Sequence, residues 1–277
     1  MGSVGQMPSS GIIPPWIFYL LEVVLSTLFV RLAQKLLPKG RIGRFVEDFL
    51  CVMQTIIISH ENGILKRAYG DAAYYFAIFA TTVLFGKLFR SNISTNPAGA
   101  VHQFSSKRNM TDMELGIQIA LQMSAAWSAY KFVQFLWGLN FCGVYHQQKL
   151  MTTDTYSSHI AVNIVAAILI EFAVTFIYRL VHHGEKQLPL GSVWTGIAAA
   201  ACTYAGYKYT GGYFNPSLAF SMQYNCHGHD KWEFFAVYFL GPVIAAYLVG
   251  VYGDSIWQSF QKSTGEMREK SKKEKDI

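Results

Sequence analysis

The sequence predicts an all-α polytopic membrane protein: an inverted repeat of six spanning helices with two re-entrant half-helices, preceded by an extra N-terminal apolar helix. Three observations carry that expectation. Of the 277 residues 52% are hydrophobic and only 14% charged, against roughly 25% charged in soluble domains, and the apolar residues fall in membrane-length blocks. Two short helix starts, Asn96-Pro97-Ala98 and Asn215-Pro216-Ser217, each follow such a block. Asn is a favoured N-cap and Pro a favoured first helical residue. Finally, blocks and starts recur in the same order in both halves of the chain, the pattern that points to a site between inverted repeats.

In chain order, the block from Ile12 to Leu37 is long enough to span, although Glu22 and Arg31 interrupt it. Two readings stand for it, a spanning helix or an amphipathic helix in the interface. Lys35, Lys39, Arg41 and Arg44 follow it and assign its C-terminal end to the cytoplasm. The next block, Phe45 to His60, carries Glu47 and Asp48 near its start. Carboxylates at membrane depth face a cavity or the bundle interior unless they sit, paired and wet, at the interface. Ala72 to Phe89 is a further span and ends in Lys87 and Arg90. Asn96 to Ser106 is too short to cross, so it reads as a re-entrant segment, tolerated at membrane depth only against protein or a cavity. Glu114 to Leu139 closes the first half, with small residues that let helices approach closely.

The second half repeats the plan. Ile160 to Val181 carries Glu171, Leu190 to Tyr209 runs into the second Asn-Pro, Asn215 to Tyr224 is again too short to cross, and Phe234 to Tyr252 ends the core. From Asp48 to Asn96 is 48 residues, and from Glu171 to Asn215 is 44. Three spans per repeat force the halves into opposite orientations, so the half-helices enter from opposite faces with their N-termini meeting near the midplane. The expected domains are an N-terminal apolar segment with basic linker (1–44), a channel domain (45–261, repeats about 45–142 and 158–261) and a charged cytoplasmic tail (262–277).

The formal charge of +6 does not indicate nucleic acid, because much of it lies between apolar blocks and in the last sixteen residues, where no folded basic face forms. Four dispersed cysteines (Cys51, Cys142, Cys202, Cys226) make neither a disulfide framework nor a zinc cluster. His227-Gly228-His229-Asp230 reads as loop without further ligands, so no metal or cofactor is expected. Residues 1–11 hold no Lys or Arg, so no conventional signal peptide is read. The apolar blocks contain no nucleophile–base pair, which argues against an enzyme and leaves no catalytic residues.

Each helix N-terminus carries about half a positive charge and unsatisfied N–H donors. Two aimed at one point make a positive centre that repels cations while neutral water turns its oxygen toward the donors. Asn96 and Asn215 can cap with the carbonyl and present the amide to the lumen.

Together these features resemble the aquaporin (major intrinsic protein) superfamily over residues 45–253. The family's hallmark is a pair of Asn-Pro-Ala boxes on half-helices, matched by Asn96-Pro97-Ala98 and, with a departure in its last residue, by Asn215-Pro216-Ser217. Asp48-Phe49, Glu171-Phe172, Thr210-Gly211 and Gly241-Pro242 stand in family-like places. Where an ordinary water channel has Arg after the second box, this chain has Leu218. That Leu, Cys226 nine residues beyond Ser217, the extra N-terminal segment and the runs Phe45-Val46-Glu47-Asp48-Phe49-Leu50 and Ser59-His60-Glu61 resemble the unorthodox superaquaporin branch of intracellular animal membranes.

The resemblance implies a selectivity filter at Phe76, Thr203, Gly212 and Leu218, counted by spacing from the boxes, with Asp48 and Glu171 as structural repeat carboxylates. Cys226 is read as a structural thiol behind the half-helix or a redox-sensitive one. A filter without charge would pass water, and glycerol or hydrogen peroxide beside it. The family also implies a homotetramer in the lipid bilayer with one pore per subunit. Lys273 and Lys275, fifth and third from the end, look like a dilysine retrieval signal, pointing to the endoplasmic reticulum or another intracellular membrane. The sequons at Asn92 and Asn109 fall on the cytoplasmic side of this topology. The alternative is a non-conducting structural membrane protein that keeps the fold.

Overall fold

The computed structural model describes residues 11–90, 93–106, 110–152 and 157–275, with side chains described to residue 263. Asn92, Asn109, Lys107 and Arg108 lie outside the described residues. The first helix, α1 (Pro15–Leu36), is followed by α2 (Arg41–Tyr69) and α3 (Asp71–Leu88). The half-helix α4 (Pro97–Ser105) leads to α5 (Asp112–Gly138). A short connecting helix, α6 (Val144–Met151), precedes α7 (Ile164–His183) and α8 (Gly191–Tyr207). The second half-helix α9 (Pro216–Gln223) leads to α10 (Lys231–Phe235), which continues through one π-helical stretch, Ala236–Leu240, into α11 (Gly241–Lys275). α2, α3, α5, α7, α8 and the joined α10–α11 are the six spans.

Helix packing has an internal two-fold. Within the repeats α2 packs on α5 as α7 packs on α11, and α2 on α3 as α7 on α8. Across them, α4 lies on α11 and α9 on α5, while α3 and α8 pack on each other. Each half-helix is therefore held by the last span of the opposite repeat. Close packing fixes that seam, since a Cβ at Gly250 of α11 would come 2.9 Å from the His102 carbonyl oxygen of α4.

α1 runs antiparallel along α2. Near one end the Gln34 amide donates to Glu47 (2.7 Å), and midway Gln54 donates to Ser26 and Thr27 (3.1 and 2.9 Å). Near the other end Tyr19 and Val23 share an apolar cluster with Ile58, Leu65 and Ala77. At 22 residues and about 1.5 Å per residue the helix is about 33 Å long, enough to span. Its other side exposes Leu21, Val24, Leu25, Leu28 and Leu32. The helix thus carries an exposed apolar stripe beside a buried one, and by length and composition it can cross a membrane. Of its two charges, Glu22 turns its carboxyl inward, and Arg31 donates to Gln34 (3.1 Å).

The basic clusters gather on one face of the bundle, hereafter the basic face. There Arg41 pairs with Glu114 at 3.0 Å, joining the starts of α2 and α5. Glu47 takes the Arg90 guanidinium at 3.0 Å, so this carboxylate is interfacial and paired, with Arg90 in place of the neighbouring Arg44. Asp48, one residue on, is fully buried and faces the bundle interior.

Candidate functional site

A chain that re-enters a membrane leaves backbone N–H groups without partners just ahead of each half-helix. Two carboxylates meet that need. Asp48 of α2 accepts from the Ser94 backbone N–H (3.1 Å) and from the Gln118 amide (2.6 Å). Glu171 of α7 accepts from the Tyr213 and Phe214 backbone N–H groups (3.0 and 2.8 Å) and from the Thr210 hydroxyl (2.7 Å). Both side chains are fully buried. Each acid thus ties the loop that delivers one half-helix to the first span of its own repeat. The second loop turns sharply, with φ of 90° at Gly211 and 61° at Gly212, values that favour glycine.

The two half-helices begin alike. Asn96 Oδ1 accepts from Gly99 N (2.7 Å), and Asn215 Oδ1 from Leu218 N (3.1 Å). Pro97 and Pro216 occupy the first helical positions, and both are buried. With each side-chain carbonyl engaged in the cap, the amide group is left for the cavity that both residues line. Ala98 is fully buried; in the other box Ser217 is as well, and its hydroxyl donates to the Gln122 carbonyl of α5 (3.4 Å). The departure from Ala to Ser in the second box therefore has a partner.

The shared cavity, about 120 Å³, is walled by Asn62, Tyr74, Thr203, Gly212 and Leu218 together with the two caps. Toward the basic face lies a second cavity of about 290 Å³, walled among others by Arg90, His102, Arg179, His183 and Lys186. Thr55, Thr82, Phe85, Thr95 and Tyr178 belong to both walls, so the two cavities lie in series. Tyr178 puts its ring 4.8 Å from that of Phe214 at this junction.

Of the expected filter residues, Thr203, Gly212 and Leu218 stand on the wall of the shared cavity, hereafter the upper cavity, the second being the lower. Thr203 turns its hydroxyl back to the Ala199 carbonyl (2.9 Å), and Leu218 also packs against buried apolar clusters on both sides. Phe76 does not reach the cavity: it is 68% exposed on the outer side of α3, against Phe79. Counting back from Asn96 assumes a fixed loop, and an error of two residues turns a helix by about 200°. Tyr74 and Ile78, two positions to either side, are the α3 residues on the wall.

Cys226 lies between α9 and α10 and donates to the Met222 carbonyl (3.3 Å), and burial pushes its thiol up to about 11. All four cysteines are unpaired thiols. Sequence reasoning missed Tyr74, Tyr178 and Arg179. The signal for Arg179 was visible as a charge eight residues after Glu171 in one apolar block, but it sits near the block's end, where cations are ordinary.

Six spans and two capped half-helices facing one cavity define an inverted-repeat membrane protein with its site between the repeats. No family model matches the chain. It is 24% identical to aquaporin-11 of Milnesium tardigradum over 231 residues, covering 83% of each chain. It is 26% identical to aquaporin-11 of Mus musculus over 242 residues (82% of this chain, 85% of the other) and 24% identical to mouse aquaporin-12 over 236 residues (82% and 80%). Among solved structures it resembles the aquaglyceroporin from Plasmodium falciparum, with a TM-score of 0.55 at 16% identity, covering 79% of this chain and 96% of that one. In sequence the chain resembles the aquaporin superfamily, on its superaquaporin side among aquaporins 11 and 12, and in fold it resembles an aquaglyceroporin.

Proposed function

We propose that this chain is a passive transmembrane channel for water and small neutral solutes, glycerol and hydrogen peroxide among them, and not an enzyme. The observation that carries this is the upper cavity, in which two opposed half-helix caps, Asn96 and Asn215, meet a wall whose filter-level residues Thr203, Gly212 and Leu218 bear no charge. The caps supply donors and a positive centre on the path, which orient water and repel cations. Leu218 adds neither charge nor donor, so neutral solutes larger than water are not excluded there. Asp48 and Glu171 hold the two entry loops, and residues 45–261 form the channel domain. Assembly as a homotetramer, and residence in the endoplasmic reticulum through Lys273 and Lys275, belong to the same proposal.

A second reading, a non-conducting protein that keeps the fold, is favoured by the contact of Tyr178 with Phe214 where the two cavities join. Osmotic shrinkage of proteoliposomes separates the two. A conducting chain shrinks vesicles faster than protein-free lipid does, and Tyr178→Ala raises the rate further. Wild-type vesicles that match protein-free lipid, together with fast shrinkage in Tyr178→Ala, would establish the closed reading.

A further inference from the structure

Arg179 is a guanidinium inside a spanning helix, and nothing among the described residues neutralises it. It is 7% exposed, enters no ion pair or hydrogen bond among those residues, and its Nε is buried without a partner. The Tyr178 ring, 5.5 Å from the guanidinium carbon, offers the weak compensation of a cation–π contact. The same guanidinium lies against the first turn of α4, where a Cβ added at Gly99 would stand 2.9 and 3.0 Å from its two terminal nitrogens. Two positive features therefore meet, a fixed cation and the positive end of a half-helix.

The nearby carboxylates are engaged elsewhere. Asp48 and Glu171 accept from the half-helix loops. Glu185, on the rim of the lower cavity, is held by His182 (2.9 Å) and Thr195 (3.2 Å). A buried charge without a counter-ion is strongly destabilising, and intramembrane ionisable groups mark functional sites. A helix N-terminus is also a ready anion site. Arg179 and Gly99 both belong to the wall of the lower cavity, about 290 Å³, which is ample for a partly hydrated ion.

We infer that the lower cavity binds a small monovalent anion of the halide or nitrate class, held between the Arg179 guanidinium and the first turn of α4. The bound ion neutralises both positive features and sits in series with the upper cavity, so its occupancy bears on whatever passes. Together with Leu218, this places the fixed charge of the path below the half-helix caps instead of above them.

The site is tested by binding, which does not depend on conduction. Purified full-length protein in detergent micelles is titrated with sodium bromide while the bromide NMR linewidth is followed, with nitrate as competitor. Thermal unfolding is compared in bromide, nitrate and gluconate at equal ionic strength. The expected result is excess bromide broadening that nitrate removes, and a higher Tm in bromide or nitrate than in gluconate. Arg179→Gln should lose both effects, while Lys131→Gln, an exposed position on α5, keeps them. If Arg179→Gln does not fold, Arg179→Lys replaces it and should bind more weakly, since a point charge lacks the guanidinium fork. Wild-type protein with no broadening beyond empty micelles, broadening insensitive to nitrate, or Arg179 variants that bind as wild type would each overturn the proposal. Vesicles that fail to conduct water would count against the channel reading alone.

Discussion

The upper and lower cavities are built from corresponding elements of two repeats, yet their chemistry differs. The upper wall presents neutral groups, Thr203, Gly212 and Leu218, beside the capping amides. The lower wall carries Arg179, Arg90 and Lys186 with His102 and His183. The loops that frame them are also secured unequally, since Glu171 accepts from three donors around the upper cavity and Asp48 from two around the lower. The inverted repeat thus fixes where the path lies, and the side chains off the repeat axis decide what each end of it meets. Symmetry in the backbone does not require symmetry in electrostatics.

The largest effect should come from removing the loop anchors. Glu171→Ala strands three buried donors, each worth about 1–3 kcal/mol, and should lower the unfolding midpoint more than Asp48→Ala does. Equal losses in a thermal-unfolding comparison would break the claimed asymmetry. A smaller loss is expected at the caps. Asn96→Ala and Asn215→Ala should each cost about 1 kcal/mol, and the similar cap geometry predicts similar values, which detergent-resolved unfolding can read. The smallest effect concerns Cys226, whose thiol is pushed up to about 11 by burial. At pH 7 it is protonated, and alkylation by iodoacetamide should speed up about tenfold per pH unit until the pH nears that value, because the thiolate is the nucleophile. Rapid labelling at neutral pH would show the thiol to be activated and restore the redox reading.

Much of the frame was legible in the sequence because it rests on local chemistry. An Asn followed by Pro after an apolar block specifies a capped helix start wherever it occurs, and both α4 and α9 begin there. The Asp48–Asn96 and Glu171–Asn215 spacings located the two acids that hold the loops. Which acid of the Glu47-Asp48 pair faces inward follows from helix phase, and the resemblance pointed to Asp48, where the structure has it. What failed was transfer of phase across a loop. Phe76 was placed by counting through residues 89–96, and α3 is rotated so that Tyr74 and Ile78 face the cavity instead. Arg179 was unreadable for another reason: a cation near a span's end is common. Only the three-dimensional packing shows its guanidinium turned inward against Gly99.

The central claim, that a neutral upper wall at Leu218 admits solutes beyond water, is tested most directly by glycerol and hydrogen peroxide uptake in proteoliposomes carrying wild type or Leu218→Arg, with osmotic water flux measured in the same vesicles. Wild type should take up the solutes above the protein-free rate, and the Arg variant should reduce that uptake by roughly an order of magnitude while sparing water more. Unchanged glycerol and peroxide uptake in Leu218→Arg would contradict the account, because Leu218 would then not line the constriction.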